Sequence, residues 1–322
     1  MTRLRALAPG KTNLCLFLGP TRADGLHELV TLIEPLSLAD ELTLEPLPDA
    51  SGVAAAVGVG DGGCAVGADE VVCPGVAGPN LAGEALAAYR AASGWDGPPQ
   101  RLTIRKRVPV AAGMGGGSGD AAAALRLAAH AAGRAEEPEL LALLAPRLGA
   151  DVPSQLAPGL VLVGGAGEDV EPALPRTPHG VLVLPSAHRL STPDVFREAD
   201  RLGLQRSADE LRERRAALAS ALAAGPELPE ELIVNDLEVA ARSLCPAIDG
   251  ALAAARHAGA DQALVSGSGP TVVGLFWGEN GEQAAIEAAA TLRDRFPSAV
   301  GTAPVAAAFA AVRAVRDNDA RA

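Results

Sequence analysis

At the start of the chain Leu4, Ala6 and Ala8 alternate with Arg3, Arg5 and Leu7, polar at the first two of these positions, and a short apolar run, Leu14 to Leu18, follows. The pattern predicts strands around a Pro9-Gly10 turn, with Lys11 and Asn13 on or beside a strand. A further strand is expected over Glu41 to Leu47, and the Gly- and Ala-rich stretch Ala50 to Gly67 reads as a surface loop or loose hairpin. Leu81, Ala85 and Ala88 share one helical face over Asn80 to Ala92, and Leu102, Ile104 and Val108 alternate through Arg101 to Val110. A glycine-rich turn then opens an alanine-rich helix from about Asp120 to His130, giving the order strand, glycine loop, helix.

Another helix, Glu137 to Leu148, ends in Gly149-Ala150-Asp151-Val152-Pro153, and an extended run follows over Gly159 to Val163. Beyond it come a strand at Val181 to Leu184, a charged helix from Ala208 to Ala223, a segment Ile233 to Ala241 and a helix through Ala251 to Ala258. Strands at Gln262 to Val265 and Thr271 to Trp277 flank a tight glycine turn, a helix and a last strand near Thr302 to Phe309 follow, and Val312 to Ala322 reads as a frayed tail. At 322 residues the chain exceeds the usual single domain. Two packed units sharing a cleft are expected, divided as 1–165 and 166–322, with one large domain the alternative.

Composition narrows the chemistry. Apolar residues make up 48% of the chain but aromatics only 2%, so the core must be built from Ala, Val and Leu. A net charge of -12 disfavours nucleic acid, whose phosphates are held by basic surfaces. A small anionic ligand is still allowed, because local cations and N–H groups outweigh distant charge screened within ~10 Å. Cys15, Cys64, Cys73 and Cys245 are too scattered for a disulfide scaffold or a zinc site and read as reduced thiols. With no secretory leader pattern and no apolar run of membrane-spanning length, the expectation is a cytoplasmic protein with neither membrane nor nucleic-acid partners.

The strongest local signal is Pro109-Val-Ala-Ala-Gly113-Met114-Gly115-Gly116-Gly117-Ser118-Gly119-Asp120. Glycines let a backbone approach an anion, successive N–H groups point inward, and the helix start adds partial positive charge, so the segment suits phosphate. In isolation it is equally a flexible turn. It is not a Rossmann fingerprint, because it comes late and lacks the following acid. Gly10-Lys11-Thr12 is not a Walker loop either, since Arg5 stands where the upstream glycine belongs.

The loop resembles the Pro-x-x-x-Gly-Leu-Gly-Gly-Gly-Ser-Ser-Asp-Ala-Ala signature of the GHMP kinases, with Met114 for Leu and Gly119 for the second Ser. Ala8-Pro9-Gly10-Lys11-Thr12-Asn13-Leu14 resembles that family's opening block. Arg22-Ala-Asp24-Gly25-Leu26-His27 and Gly149-Ala-Asp151-Val-Pro153 resemble blocks of its diphosphocytidyl-methylerythritol kinases, and Asn235-Asp236-Leu237-Glu238 and Ser266-Gly-Ser268-Gly269-Pro-Thr271 match the later ones. The resemblance implies an α+β, two-domain fold, its N-terminal half similar to a ribosomal-protein fold, with ATP and Mg2+ in the cleft and a cytidylyl diphosphate alcohol as acceptor. The 2-hydroxyl of 4-diphosphocytidyl-2-C-methylerythritol would receive the phosphoryl group. A mevalonate-, homoserine- or sugar-type kinase would lack the Asp-Gly-x-His block, and a non-catalytic binding protein would not need Lys11, Asp151 and the loop together. Monomer and homodimer both stay open.

The same resemblance assigns roles. Asp151 is the catalytic base and Lys11 its cationic partner; the Val-Pro pair after Asp151 biases the backbone toward extended geometry and a constrained turn. Asn80 would lie near adenine, although after Pro79 it is also a favoured N-cap. Pro109, Val110, Ala111, Ala112, Gly113, Met114, Gly115, Gly116, Gly117, Ser118 and Gly119 would hold the triphosphate, with the Ser118 hydroxyl reaching its Mg2+. Asn13, His27, Thr192, Phe196, Ser268 and Gly269 would contact the acceptor. Leu26 stands where the family has tyrosine, so one face of the cytosine stack would be aliphatic, and Phe196 is otherwise an ordinary core ring. Ser266 to Thr271 reads equally as a hairpin turn, and Asp236 and Glu238 read as structural.

Overall fold

The structure, a computed structural model, describes residues 2–47, 63–66, 69–76, 78–110, 112–135 and 137–315. It opens with two long antiparallel strands, β1 (Leu4–Thr21) and β2 (His27–Pro46). The expected turn at Pro9-Gly10 is absent, and the chain runs straight through it. Gly10 is enclosed there, since a Cβ would sit 3.2 Å from the Leu38 carbonyl and 3.3 Å from Val108. The pairing of β1 with β2 shifts register between Pro9 and Lys11 and again between Asn13 and Cys15, so both candidate residues sit on bulged backbone.

Strands β3 (Gly63–Val66) and β4 (Asp69–Val72), helix α1 (Leu81–Ser93) and strand β5 (Gln100–Arg105) follow. The expected loop over Ala50 to Gly67 lies mostly outside the described residues; its 63–66 part is strand. Helix α2 (Gly116–Ala131) begins inside the glycine-rich segment, earlier than Asp120, because glycines at a helix start tolerate helical geometry as readily as a loop. Then come α3 (Pro138–Leu148), a single turn α4 (Val152–Gln155), and strands β6 (Val161–Gly164) and β7 (Asp169–Pro172). The end of β2 pairs with β5 and its first half, at Thr31 to Ile33, with β6, so one strand carries the sheet in two directions.

The rest comprises β8 (His179–Leu184), α5 (Thr192–Leu202), α6 (Ala208–Ala224), α7 (Glu238–Leu244), α8 (Ala247–His257), β9 (Gln262–Val265), β10 (Val272–Trp277), α9 (Gly281–Leu292), β11 (Val300–Thr302) and β12 (Arg313–Ala314). Strands β11, β8, β10 and β9 form a second, four-stranded antiparallel sheet. The last strand expected over Thr302 to Phe309 ends at Thr302, and residues 307–310 form a short 3-10 turn. Part of the expected tail is also ordered, since β12 pairs with β1. A division of the chain at 165/166, our proposal from sequence, runs through the turn between β6 and β7, both on the first sheet.

Small side chains build the cores, as the scarcity of rings requires. Ala121 to Ala124 of α2 pack with α1 and with Ala6, Ala8, Leu42 and Ile104 of the first sheet, and Tyr89 is the one ring buried among them. A second core joins α5, α7, α8 and α9 to the second sheet. A third joins the sheets to each other, with Leu14, Phe17 and Leu32 against Val181, Val183, Val273 and Leu275. That shared core holds the two sheets at one setting and so gives the space between them a shape. Among the described residues no helix is long and apolar enough to cross a membrane, and Cys15, Cys73 and Cys245 are free and buried.

Candidate active site

A cleft of about 880 Å3 lies between the two halves. At its middle, Lys11 is 4% exposed, its backbone N–H donating to the Met114 carbonyl at 2.9 Å. The ammonium donates to Asn13 Oδ1 at 2.9 Å and stands 3.5 Å from Asp151 Oδ2. Asn13 Nδ2 donates to Thr31 Oγ1 at 2.7 Å, and that hydroxyl donates to the Cys15 carbonyl at 2.6 Å. The chain of donors fixes which way the Asn13 amide faces, so its oxygen meets the ammonium. Asp151 lies beyond the end of α3, after Gly149 and Ala150, and is the N-cap of α4 in helical conformation, with φ -85°. The extended geometry expected here is therefore replaced by a helical turn, and Pro153 is accommodated in the first turn, where no N–H is required of it.

Two glycine turns close on this pair. Gly113 and Gly115 have φ of 72° and 64°; a Cβ on Gly113 would fall 2.4 Å from the Ser266 carbonyl, and one on Gly115 would fall 2.9 Å from Lys11 Cγ. Glycine is required at both. Ser266 Oγ donates to the Gly113 carbonyl at 3.3 Å, and a Cβ on Gly267 would stand 3.4 Å from Lys11 Nζ. The Ser266 to Thr271 segment is thus both a β9–β10 hairpin turn and a neighbour of Lys11. It is held from beneath by Asn235, whose amide donates to the Val265 and Gly267 carbonyls at 2.8 and 2.7 Å. Asp236 and Glu238 are structural, accepting from Leu18 N and from Val265 N.

Helix α2 has Gly115 as its N-cap and no side-chain cap, and Gly115, Gly116, Gly117 and Ser118 line the cleft. The N–H groups of its first turn have no partner within the helix, and a polyphosphate fits them chemically. Pro109, Val110, Ala112, Gly113 and Met114 line the cleft as well, whereas Gly119 is turned inward, where a Cβ would lie 3.1 Å from the Pro9 carbonyl. Ala111 lies outside the described residues. Asn80 caps α1, accepting from Ala82 N at 3.0 Å, and also faces the cleft.

At the other end, His27 Nε2 lies 2.7 Å from Asp200 Oδ1 and 3.1 Å from Thr21 Oγ1, and its ring sits 5.1 Å from that of Phe196. Phe196 therefore lines the cleft while its other side packs on the second core. Thr192 Oγ1 and Ser268 Oγ are 2.9 Å apart, bridging α5 to the second glycine turn, while Gly269 is not among the lining residues. Leu26 is 55% exposed at the rim.

Sequence reasoning passed over a buried triad beside the phosphate-facing turn. Lys106 Nζ pairs with Asp40 and, at 2.7 Å, with Asp120, and it lies close beneath Gly116. Burial pushes the Asp120 carboxyl up to about 7, with a further push from Asp40 against the pull of Lys106. Burial alone would lower the Lys106 ammonium, but Asp120 and Asp40 outweigh it and raise it. The one clue was a basic run, Arg105-Lys106-Arg107, ahead of the loop in an otherwise acidic chain. Among the described residues no group of three or more His, Cys, Asp or Glu side chains is placed to hold a metal ion.

A paired carboxylate and ammonium between two glycine turns, with an uncapped helix start alongside, is the equipment of a phosphoryl-transfer enzyme acting on a small alcohol. Two family models match the chain, the GHMP kinases N terminal domain over residues 80–159 and GHMP kinases C terminal over residues 208–297. A 4-diphosphocytidyl-2-C-methyl-D-erythritol kinase of Corynebacterium diphtheriae is 38% identical, covering 94% of this chain and 96% of its own. One from Mycolicibacterium smegmatis is 42% identical over 82% of this chain and 78% of its own. A crystal structure of a 4-(cytidine 5'-diphospho)-2C-methyl-D-erythritol kinase superposes with a TM-score of 0.68 at 32% identity, covering 94% of this chain and 99% of that one. The chain has the GHMP kinase fold and is an ATP-dependent GHMP kinase. Within that class, the chain belongs to the 4-diphosphocytidyl-2-C-methyl-D-erythritol kinase family.

Proposed function

We propose that this chain transfers the γ-phosphoryl group of ATP to the 2-hydroxyl of 4-diphosphocytidyl-2-C-methyl-D-erythritol, a step of the non-mevalonate route to isoprenoid precursors. The observation that carries the mechanism is the Lys11–Asp151 pair, 3.5 Å apart at the middle of the cleft. ATP would lie with its phosphates on Gly113 to Ser118 and its base toward Asn80, and the cytidylyl end of the acceptor between His27 and Phe196. A magnesium ion carried by ATP would find the Ser118 hydroxyl; it would offset charge on the phosphates. Asp151 takes the proton of the acceptor hydroxyl, that oxygen bonds to the γ-phosphorus, and the bond from phosphorus to the β,γ-bridging oxygen breaks, releasing ADP. Lys11 stabilises negative charge on the oxygen as it forms, and the amide of Asn13 keeps the ammonium there.

The test is ADP release from magnesium-ATP with a panel of that substrate, mevalonate, homoserine and galactose, run beside Asp151→Asn. Turnover confined to the cytidylyl alcohol, with kcat falling by about 10^2-fold or more in the variant, supports substrate and base together. Turnover of another alcohol overturns the substrate, and an unaffected variant overturns the base.

A further inference from the structure

Arg126 lies on α2, the helix whose first turn lines the cleft, and is not itself among the lining residues. Its Nη1 donates to the Gln155 carbonyl at 2.6 Å and the Leu156 carbonyl at 3.1 Å, and its Nη2 donates to the Leu7 carbonyl at 3.2 Å. Those acceptors are the last residues of the α4 turn and a residue of β1. Among the described residues no carboxylate stands within ion-pair distance of it, and its Nε is buried with no partner. Burial pushes the guanidinium down to about 10, so the chain bears a desolvated cation whose partners are all backbone carbonyls. A charge buried without a counter-ion is costly, and neutral donors would cap one turn of helix at less expense. What a guanidinium adds is a rigid fork able to reach two elements at once.

The two elements are the ones that matter for the chemistry. Strand β1 carries Lys11, and α4 is a single turn whose N-cap is Asp151. One turn has little stability of its own, since helix nucleation is unfavourable, so its position is set by what grips it. It is gripped at both ends. At the start, Gly167 of the β6–β7 turn packs so closely that a Cβ would fall 2.9 Å from the Ala150 carbonyl, and Ser154 Oγ donates to the Asp151 carbonyl at 2.8 Å. At the finish, the grip is Arg126.

We infer that Arg126 is a positioning residue for phosphoryl transfer, holding the Asp151 carboxylate at its distance from Lys11 by tying the α4 turn to strand β1. The inference rests on the reading of Asp151 as the base. Arg126 is not among the residues that line the cleft, so its loss should act on kcat through Asp151 and leave the binding of both substrates intact.

The experiment is a double-mutant cycle of Arg126→Met and Asp151→Asn, with kcat and both KM values measured for magnesium-ATP and the cytidylyl alcohol. Arg126→Lys, which keeps the cation and one donor direction, runs through the same cycle and carries the test if the methionine variant does not fold. The expected result is a kcat loss of about tenfold or more in Arg126→Met, a smaller loss in Arg126→Lys, and KM values within about twofold of wild type. In the Asp151→Asn background, whose residual ADP release is followed over hours, neither substitution at 126 should lower kcat by more than about twofold. Equal fold-losses in both backgrounds, or a loss confined to KM, overturn the inference and leave the base assignment standing. Wild-type turnover by Asp151→Asn alone overturns the base assignment, and the inference falls with it.

Discussion

His179 of β8 and Glu34 of β2 meet where the two sheets join, with Nε2 and Oε2 2.9 Å apart and both side chains buried. The other ring nitrogen of His179 faces the Thr177 carbonyl at 2.9 Å, and Trp277 lies against the ring with centroids 4.5 Å apart. Both nitrogens therefore face acceptors, which favours the doubly protonated ring.

Burial by itself lowers the His179 pKa, but the hydrogen bond and charge of Glu34, with the Thr177 carbonyl, reverse this and raise it above the ordinary value. A raised folded-state pKa contributes stability that is complete below the unfolded value of about 6.5 and is lost as pH rises through the folded value. His179→Gln should thus be most destabilised relative to wild type in mildly acid buffer, with the gap closing toward alkaline pH. Urea midpoints of both proteins from pH 5.5 to 9 check it; a gap that widens with pH refutes the pairing.

The glycine turn supplies a graded test. Alanine at Gly113 or Gly115 must adopt positive φ and also meet the Ser266 carbonyl or the Lys11 stem, so both variants should lose stability and activity. Gly117 has nothing within 4 Å of its Cβ position and lines the cleft, so Gly117→Ala should keep its melting temperature and raise KM for ATP alone. Thermal melts beside initial rates separate the two outcomes.

Lys106 holds two carboxylates in the interior. Replacing it with methionine leaves Asp40, fully buried, and Asp120 without their shared cation. Loss of one partner from a buried ionic cluster costs about 3–5 kcal/mol, so Lys106→Met should unfold at markedly lower denaturant. Lys106→Met with Asp120→Asn should regain part of that loss, read from the same urea titrations.

Leu26 offers an aliphatic face at the position where the family resemblance led to the expectation of tyrosine, and it is 55% exposed at the cleft rim near His27. Leu26→Tyr should lower KM for the cytidylyl alcohol, by up to about 1–3 kcal/mol if the ring stacks on the base, with KM for ATP unchanged. Steady-state rates with each substrate varied in turn give the answer.

Several elements were legible in the residues. The stripe of Leu81, Ala85 and Ala88 behind Asn80 became α1 with Asn80 as its cap, and the charged run from Ala208 became α6 behind a Ser207–Glu210 capping box. These features are local: a cap bonds within a few residues, and a stripe repeats every turn. Pro9-Gly10 misled for the complementary reason. The pair favours a turn locally, yet pairing with β2 on either side of it, Pro9 opposite Ala39 and Lys11 opposite Pro35, holds β1 extended through it. The β2 strand was foreseen only at its end, because its middle is buried on both faces and shows no alternation.

The sequence by itself determined the chemistry of the parts: a glycine turn feeding a helix, a lysine and asparagine two positions apart, an aspartate before a proline turn, and a core limited to small aliphatic side chains. Only the tertiary structure decided which parts meet. Gly113 and Ser266 touch across 153 positions, Lys106 finds Asp40 across 66, and Arg126 grips a turn 29 residues away. Residue type and periodicity report what a segment presents to its surroundings. Which segment becomes those surroundings is set by how the whole chain buries its apolar faces and pairs its buried polar groups at once.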